Sequence, residues 1–266
     1  MTIQDTIAPL GHTIIALSAA PAIGSESLDW AQYLNEVSGP IEQRPSILIV
    51  PFSDIDQAQA FAEQAPIKTN YRIVAVCYHG ANGQEPEIAA SIAAALADSN
   101  DPALPFNGIN LAGMKPVEDQ YKLKFERMEA AMHKGVCMIQ TGADGVPEIV
   151  RALCTYQANP TTGDPDDIVA DINGALVLDY TRKVVRQAVR RNGRRKNTVR
   201  ERDNLRSLIL VELIKLDDAE ILQNVRQRAK ELTVLEDLTD RFRVNVKIPA
   251  DWVRGMHVVA ATLDVY

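Results

Sequence analysis

The sequence is poor in the features that mark secreted or membrane proteins. Its three cysteines cannot all pair, and each lies in an apolar, strand-like run, so we expect reduced thiols in a cytoplasmic setting. No run of about 18 apolar residues occurs, so we expect no membrane span. The first basic residue is Arg44, so the N-terminus lacks the positive region of a secretory signal. The remaining composition, 46% apolar and 24% charged among 266 residues, indicates one large globular domain or two ordinary ones.

The motifs of common enzymes and metal sites are also missing. The four histidines lie outside any HExxH pattern, and the sequence has no CxxC, P-loop or G-x-S-x-G. The loop His79–Gly83 could cradle a phosphate, but it lacks the third glycine of a dinucleotide motif and the P-loop lysine, which favours a plain turn. We predict no catalytic residues, metal site or cofactor, and expect that the protein is not an enzyme. A solvated loop is likewise favoured over a cation site at Asp164, Asp166 and Asp167.

Charge is distributed unevenly along the chain. Residues 1–118 hold 13 acidic and four basic residues, a net charge of −9, whereas residues 119–266 have a net charge of +2. Within the second part, the segment 181–206 holds eleven basic and two acidic residues, so the rest of the chain has a net charge of −16. A concentrated positive segment on an acidic molecule indicates a surface for a specific acidic partner.

The first part of the sequence predicts alternating strands and helices. Three short, continuous apolar runs rich in β-branched residues predict buried strands, and amphipathic helices separate them. Strands without polar alternation are typical of a parallel sheet that is covered on both faces. The predicted strands are His12–Ser18, Ser46–Phe52 and Arg72–Tyr78, and the predicted helices begin at the caps Ser27 and Asp54 and at Glu85.

The second part predicts a different mixture of elements. Tyr121, Phe125, Met128 and Met132 step by four, three and four residues, which predicts a helix that ends before Gly135. A strand pair, three helices and two closing strands follow. The strand pair is Val136–Thr141 with Glu148–Tyr156, the helices are Ile172–Arg191, Thr198–Leu216 and Asp218–Leu232, and the closing strands are Phe242–Ile248 and Met256–Tyr266.

The basic segment has two readings, a second copy of the chain or a nucleic acid. Like charges four residues apart on a helix repel, so this density of bases requires something acidic nearby. The segment lacks interleaved aromatics and any nucleic-acid motif, whereas the rest of the same chain is acidic, which favours self-association. The predicted contact residues are Arg182, Lys183, Arg186, Arg190, Arg191, Arg194, Arg195 and Lys196.

The closing strand is the second predicted contact. A long apolar strand left at a sheet edge is an aggregation hazard, so it either lies inside its own sheet or pairs with another chain. The sequence does not separate these two arrangements. The residues that would pair are Val258, Val259, Ala260, Ala261, Thr262, Leu263 and Val265.

From about Pro105 onward four stretches follow one another in a recognisable order: PFNGINLAGMKPVED, ERMEAAMHKGVCMIQTGADGVPEIVRALCTYQ, DINGALVLDYTRKVVRQAVRRNGRRKN and ILQNVRQRAKELTVLEDLTDRFRVNVKIPADWVRGMHVVAATLDVY. This order resembles contractile phage tail sheath proteins of the Mu-like kind. The earlier LGHTIIALSAA and ILIVPFSD are similar to the α/β core of that family. No single stretch is diagnostic, but their order is fairly specific.

The resemblance implies a structural protein of the virion tail. Such subunits stack in rings around a tail tube, contact the baseplate and the tail terminator, and contract to drive the tube through the host envelope during genome ejection. They assemble in the host cytoplasm, in a bacteriophage or a prophage-derived particle. The resemblance implies no membrane binding by this chain, and nucleic acid is the less favoured partner.

The predicted fold class is α/β, with a parallel or mixed sheet core flanked by helices and a C-terminal α+β assembly domain that ends in a strand. We predict the acidic core domain over residues 1–118 and the assembly domain over residues 119–266. The family usually carries a longer N-terminal stretch with an arm and outer domains. This sequence begins near the start of the core, so we expect it to lack that half of a strand exchange.

Overall fold

The computed structural model describes residues 3–191 and 193–257, and they form two compact units. Unit 1 holds the described residues up to Asn100, then Leu104–Ala175, and Met256 and His257. Unit 2 holds Asp101–Ala103 and Leu176–Gly255. The chain therefore leaves unit 1, builds unit 2 and returns.

Unit 1 is built on a five-stranded mixed sheet whose strands follow one another in chain order. The first four strands are parallel and the fifth is antiparallel to the fourth. Strands two and three are wholly buried, as their unbroken apolar sequences predict for a sheet covered on both faces. The predicted fold class is confirmed. The strands are β1 (Ile14–Ala16), β2 (Ile47–Phe52), β3 (Ile73–Cys77), β4 (Val136–Thr141) and β5 (Pro147–Arg151).

Helices cover both faces of this sheet. They are α1 (Ile3–Ile7), α2 (Ser25–Val37), α3 (Ile55–Ala62), α4 (Glu85–Asp98) and α5 (Phe125–Met132). Alternate strand residues pack with α2, α3 and α5 in one cluster, in which Trp30, Phe61 and Met128 meet the strands. Helix α4 packs on β1, β2 and β3 through a different set of residues, with Ile88 and Ile92 buried. Because successive side chains of a strand point to opposite faces of the sheet, the strands contribute to two separate apolar layers, one on each face.

Of the two predicted helix caps, Asp54 is confirmed and Ser27 is wrong. Asp54 caps α3, since its carboxylate accepts the N–H groups of Asp56 and Gln57 at 3.0 and 2.9 Å. Ser27 is not a cap: α2 begins earlier, after Gly24, and the Ser27 hydroxyl accepts the Gly24 N–H at 3.2 Å from inside the first turn.

Three further sequence predictions for unit 1 need correction. Strand β1 has only three residues and is half-buried to exposed, so it is a short edge strand and not a buried one. Tyr121 lies in a separate 3-10 turn before α5. Strand β5 ends at Arg151, after which the chain continues without strand structure apart from isolated bridges.

The compact units also divide the chain at a different place from the predicted boundary between residues 118 and 119. Strand β4 pairs with β3 in parallel, so the strand pair after residue 119 completes the sheet of the first part. The net charge of the sequence changes sign near residue 118, whereas the boundary between the two compact units lies near Ala175.

Unit 2 consists of helices and a small antiparallel sheet. Helix α6 begins in unit 1, and most of its length belongs to unit 2. The unit has its own core, in which Val177 and Val185 of α6 join Ile209 and Leu213 of the next helix. The predicted first two helices are confirmed. The elements are α6 (Ile172–Arg191), α7 (Val199–Asp218), α8 (Val225–Arg228), β6 (Thr233–Glu236) and β7 (Val244–Lys247).

The predicted third helix, Asp218–Leu232, is wrong over most of its length. Glu220 and Asn224 adopt left-handed backbone conformations, with φ of 57° and 59°, which interrupt a helix. Only the single turn α8 and a 3-10 turn form, and the unpredicted strand β6 follows. Among the residues described, no helix is long and apolar enough to cross a membrane.

Candidate interaction surface

The basic segment lies on two consecutive helices of unit 2 and the connection between them. It covers the C-terminal half of α6, the connection after it and the N-terminal half of α7. Thr198 caps α7 by accepting the Glu201 N–H at 3.3 Å, which fixes where the connection ends. The apolar sides of both helices enter the core of unit 2, so most of the basic side chains remain on the outer surface.

Two of the eleven basic residues hold the fold of unit 2 together. Arg206 donates to the carbonyl oxygens of Ala229 and Leu232 at 2.6 and 2.8 Å. Arg202 forms an ion pair with Glu236 of β6 at 3.2 Å. These bonds fasten α7 to the segment that leads into the small sheet, so the two residues have structural roles within the chain.

Two of the predicted contact residues also have partners in their own chain. Arg182 pairs with Asp179, one helical turn away, at 3.0 Å. Arg195 is only 22% exposed and lies 3.4 Å from Glu201, and its Nε is buried without a hydrogen-bond partner in the described part of the chain. The structure therefore places Arg195 as a half-buried group in the connection between α6 and α7.

Arg186 shows how crowded the positive charge is. Its pKa is lowered, mainly because the side chain is partly buried and also because Arg182 and Arg190 lie nearby. Asp179 opposes this shift, so the cause of the lowered pKa is chiefly burial and only secondly the neighbouring positive charges.

The remaining basic side chains form the exposed part of the segment, called here the basic surface. All are solvent-exposed, and none forms an ion pair with another residue of the described chain. Such charges are hydrated and free to meet an external anion. The members are Lys183, Arg190, Arg191, Arg194, Lys196 and Arg200.

The second predicted contact begins where the chain returns to unit 1. His257 Nδ1 lies 2.8 Å from Asn107 Oδ1, and its Nε2 lies 3.4 Å from Asp171 Oδ1. Asp171 in turn holds Arg151 through two bonds of 2.9 Å. The chain is thus fastened to unit 1 at residue 257. The predicted pairing residues, Val258, Val259, Ala260, Ala261, Thr262, Leu263 and Val265, lie outside the described residues.

The loop His79–Gly83 has no arrangement for holding a phosphate. The helix that follows carries Glu85 and Glu87 in its first turn, where they repel an anion. His79 Nδ1 accepts the Ile55 N–H at 3.3 Å, which occupies one ring nitrogen. Gly80, with φ of 84°, lets the chain approach Tyr121, whose Cβ would lie 2.4 Å from an added Cβ. The adjoining cavity is about 130 Å³, and its lining includes Tyr78, His79 and Lys122.

The cysteines and the acidic loop have structural surroundings. Cys77, Cys137 and Cys154 are buried, and burial raises the pKa of Cys137 and of Cys154 to about 12, so their thiolates do not form at neutral pH. Asp166 accepts the Tyr156 hydroxyl at 2.7 Å. Within the described ranges, no cluster of three or more His, Cys, Asp or Glu residues could hold a metal ion.

The second part of the chain matches a known family. Residues 164–266 match the family model of the phage tail sheath C-terminal domain. That range contains the basic surface, the small sheet and the closing residues. No curated protein sequence matches this chain.

Solved sheath structures share the fold of nearly the whole chain. A sheath tail protein from Desulfitobacterium hafniense aligns over 95% of this chain and 56% of its own length, with 14% identity and a TM-score of 0.68. One from Listeria innocua aligns over 93% and 55%, with 14% identity and the same TM-score. The contracted helical sheath of the anti-feeding prophage aligns over 98% and 72%, with 14% identity and a TM-score of 0.63.

The predicted resemblance to tail sheath proteins is therefore confirmed, for the fold and for the family of residues 164–266. The chain spans little more than half the length of the two bacterial sheath proteins.

Proposed function

We propose that this chain is a structural subunit of a contractile tail sheath, in a phage or a prophage-derived particle. It polymerises around a tail tube and contracts to drive the tube through the host envelope. The observation that carries the proposal is the match of residues 164–266 to a sheath domain, on a chain that has the sheath fold over 95% of its length. The proposed role is mechanical, with no catalytic step.

The proposed partners are other copies of the chain in stacked rings, the tail tube protein, the baseplate and the tail terminator. One solved neighbour is a component of an anti-feeding prophage baseplate, and another is a contracted sheath complex of an extracellular contractile injection system, which supports the first and third of these. The proposed location is the virion tail, after assembly in the host cytoplasm.

The proposed mechanism assigns separate tasks to the parts of the chain. Unit 1, with its fully buried central strands, moves as a rigid body. The residues after His257 keep neighbours attached by adding a strand to another subunit's sheet. The basic surface meets acidic groups of a neighbour, and such charge pairs can be exchanged between two arrangements of the same rings.

Charge reversal tests the role of the basic surface. We expect Arg194→Glu with Lys196→Glu to leave the monomer folded and to reduce polymers seen by negative-stain microscopy, because an attractive contact becomes repulsive. Arg195 is left unchanged because its contact with Glu201 makes it part of the fold. The matched control is Lys115→Glu with Lys124→Glu, the same change in charge at two exposed lysines of unit 1. Normal polymers from the first variant would refute the charge-pairing role.

Deletion tests the closing residues. A chain that ends at His257 keeps the anchor to unit 1, and we expect it to stay folded but not to polymerise. Circular dichroism checks the fold and electron microscopy checks the polymers. A truncated chain that assembles like the full chain would remove the strand-exchange step while leaving the charge contacts to account for assembly.

Nucleic-acid binding through residues 182–206 is the second candidate, favoured by the six exposed cations of the basic surface. The affinity of a protein that neutralises several phosphates falls steeply with salt. We expect only weak, sequence-independent binding when duplex DNA is titrated at two salt concentrations. Tight binding that falls steeply with salt, together with no polymers, would replace the sheath proposal by this one.

A further inference from the structure

The most exposed apolar side chains of unit 2 lie together at the end of the β6–β7 hairpin. Leu238 and Phe242 are fully accessible, at 101% and 99%. A single exposed apolar residue is ordinary, but a fully exposed leucine and phenylalanine on one short loop can serve as anchors of the kind found at protein interfaces. Residues 237–243 are called the hairpin tip below.

Both side chains lie in the loop that joins the two strands. The last pair of the small sheet is Glu236 with Val244, and the Asp237 N–H then donates to the Arg243 carbonyl at 3.1 Å. The Arg243 N–H donates in turn to the Asp240 carbonyl at 3.0 Å, which closes the loop. Leu238 and Phe242 therefore lie on the two arms of one short loop, where both are available to a partner.

The tip is also ordered in advance by a single carboxylate. Asp237 accepts the N–H groups of Thr239 and Asp240 at 2.9 and 3.0 Å, the Thr239 hydroxyl at 2.7 Å and the Asn245 side-chain amide at 2.8 Å. A loop that is already held in shape loses little conformational entropy when it binds. The tip is therefore built to present Leu238 and Phe242.

The basic surface adjoins the tip. Asn197, in the connection between α6 and α7, donates its side-chain amide to the Arg241 carbonyl at 2.7 Å. Arg194 and Lys196 belong to the same short connection. An apolar pair beside several cations fits a partner that offers an apolar depression with an acidic rim.

Such a depression lies on unit 1, along the outer side of α2. This open groove has a volume of about 480 Å³. Its lining includes the apolar side chain of Leu28, which is 43% exposed, and the acidic side chain of Glu36. Glu26 and Asp29 are exposed on the same helix. The lining residues are Leu28, Ala31, Gln32, Asn35, Glu36 and Pro66.

We propose that the hairpin tip of one copy docks into the α2 groove of a second copy, with Leu238 and Phe242 in the groove and nearby cations against its acidic rim. The proposal rests on the sheath function in one respect, that copies of the chain meet. Charge complementarity selects the occupant, because Glu36 lines the groove, Asp29 is exposed on the same helix, and exposed cations adjoin the tip.

Cross-linking between two different single variants tests the contact directly. Arg241→Cys puts a thiol on the tip and Gln32→Cys puts one in the groove, while the three native thiols are buried. The two full-length variants are mixed under assembly conditions and treated with a short bismaleimide. We expect a dimer that contains one copy of each. The control replaces the tip variant by Val211→Cys, a position on α7 that is 51% exposed, and should give little product.

Removing the anchors completes the test. Adding Leu238→Ser and Phe242→Ser to the tip variant should lower the yield of mixed dimer about tenfold, the loss expected when interface anchors are truncated. Absence of the mixed dimer, or a yield that the serines do not change, overturns the proposal. Sedimentation with phosphatidylserine vesicles that depends on Leu238 and Phe242, without any mixed dimer, would assign the tip to membranes and also overturn it.

Electron microscopy of the same mixtures judges the sheath function separately. Polymers without the cross-link would leave the sheath proposal standing and remove this contact. The cross-link without polymers would support this contact and count against the sheath proposal.

Discussion

Replacing Asp171 by asparagine removes the centre of the network that fastens the returning chain to unit 1. Its two carboxylate oxygens accept hydrogen bonds from Nε and Nη2 of Arg151, both at 2.9 Å. His257 Nε2 lies 3.4 Å from Asp171 Oδ1. The Asp171 side chain is 12% exposed and that of Arg151 is 40% exposed. Hydrogen bonding to Asp171 raises the pKa of Arg151, so the guanidinium stays charged at any ordinary pH.

The degree of burial sets the size of the expected effect. Breaking a buried pair costs about 3–5 kcal/mol, whereas an exposed pair contributes about 0–1 kcal/mol. Asp171 is buried but Arg151 retains water, so we expect the free energy of unfolding of unit 1 to fall by about 2 kcal/mol. For a protein of this size that corresponds to a decrease in Tm of roughly 4–8 °C.

The assay has to report on unit 1 alone. Trp30 is buried in unit 1 and Trp252 in unit 2, so a Trp252→Phe background makes tryptophan fluorescence a probe of unit 1 during urea unfolding. The matched control is Asp56→Asn, because Arg127 Nη2 contacts both oxygens of Asp56 at 3.1 and 3.2 Å while that side chain is 73% exposed. We expect the control to lose less than about 1 kcal/mol. Equal losses from the two substitutions would refute the argument that burial decides the outcome.

Three more predictions concern backbone strain, thiol burial and pH. Gly135→Ala should cost about 3 kcal/mol, since φ is 74° and the new Cβ would lie 3.0 Å from Cys154 O and from Thr155 Cα. Gly163→Ala, with φ of 78° and open space, should cost about 1 kcal/mol, and equal losses in urea unfolding would contradict the steric part. Ellman's reagent should titrate none of the three thiols in the native protein and all of them in guanidinium, and a fast-reacting native thiol would contradict their burial. The pKa of Asp237 is lowered, first by the Asp240 N–H, so the order of the hairpin tip is fully present above pH of about 4 and is lost as pH falls through the folded pKa. Amide NMR shifts of Thr239 should follow that titration and lose it in Asp237→Asn.

The sheet of unit 1 could be predicted because its signals are local. Strands β2 and β3 are unbroken apolar runs that are buried on both faces, and Asp54 caps α3 through its own neighbours in sequence. Each of these features is decided within about ten residues. A short edge strand such as β1 carries a weaker signal, because its burial depends on what the rest of the chain places beside it.

The secondary structure after α7 could not be predicted, because tertiary packing prevents the helix that the spacing of its apolar residues indicates. Ile221, Val225 and Leu232 have helical spacing and do reach the core of unit 2, but not on one helix. The chain turns at Glu220, and Leu222 forms a bridge with Trp252, thirty residues later. Contacts at that separation leave no trace in a local pattern.

The sequence predicts the positive charge of the candidate surface, but not which basic residues belong to it. The excess of basic residues over 181–206 is plain in the sequence. Which of them are internal depends on Glu236 and on the carbonyls of Ala229 and Leu232, more than twenty residues away. The hairpin tip was missed because Leu238 and Phe242 are ordinary apolar residues whose exposure only the fold reveals.

This sorting changes the physical argument for self-association. Four of the eleven basic residues have acidic or carbonyl partners within unit 2. Repulsion among the bases of the whole segment is therefore no longer an argument for an external acidic partner. Apart from the partly buried Arg186, what remains is a smaller group of six exposed cations on α6, α7 and their connection, beside an apolar tip. Exposed charges act over about 10 Å at 0.1 M salt and contribute little affinity singly, so they orient two copies without holding them. The holding energy must come from buried apolar area, and the hairpin tip is the apolar anchor that adjoins those charges. A surface that combines exposed charges with an apolar anchor fits an assembly in which each copy has to exchange one set of neighbours for another. Contacts between solvent-screened charges break easily, while the anchor fixes the position of one copy on the next.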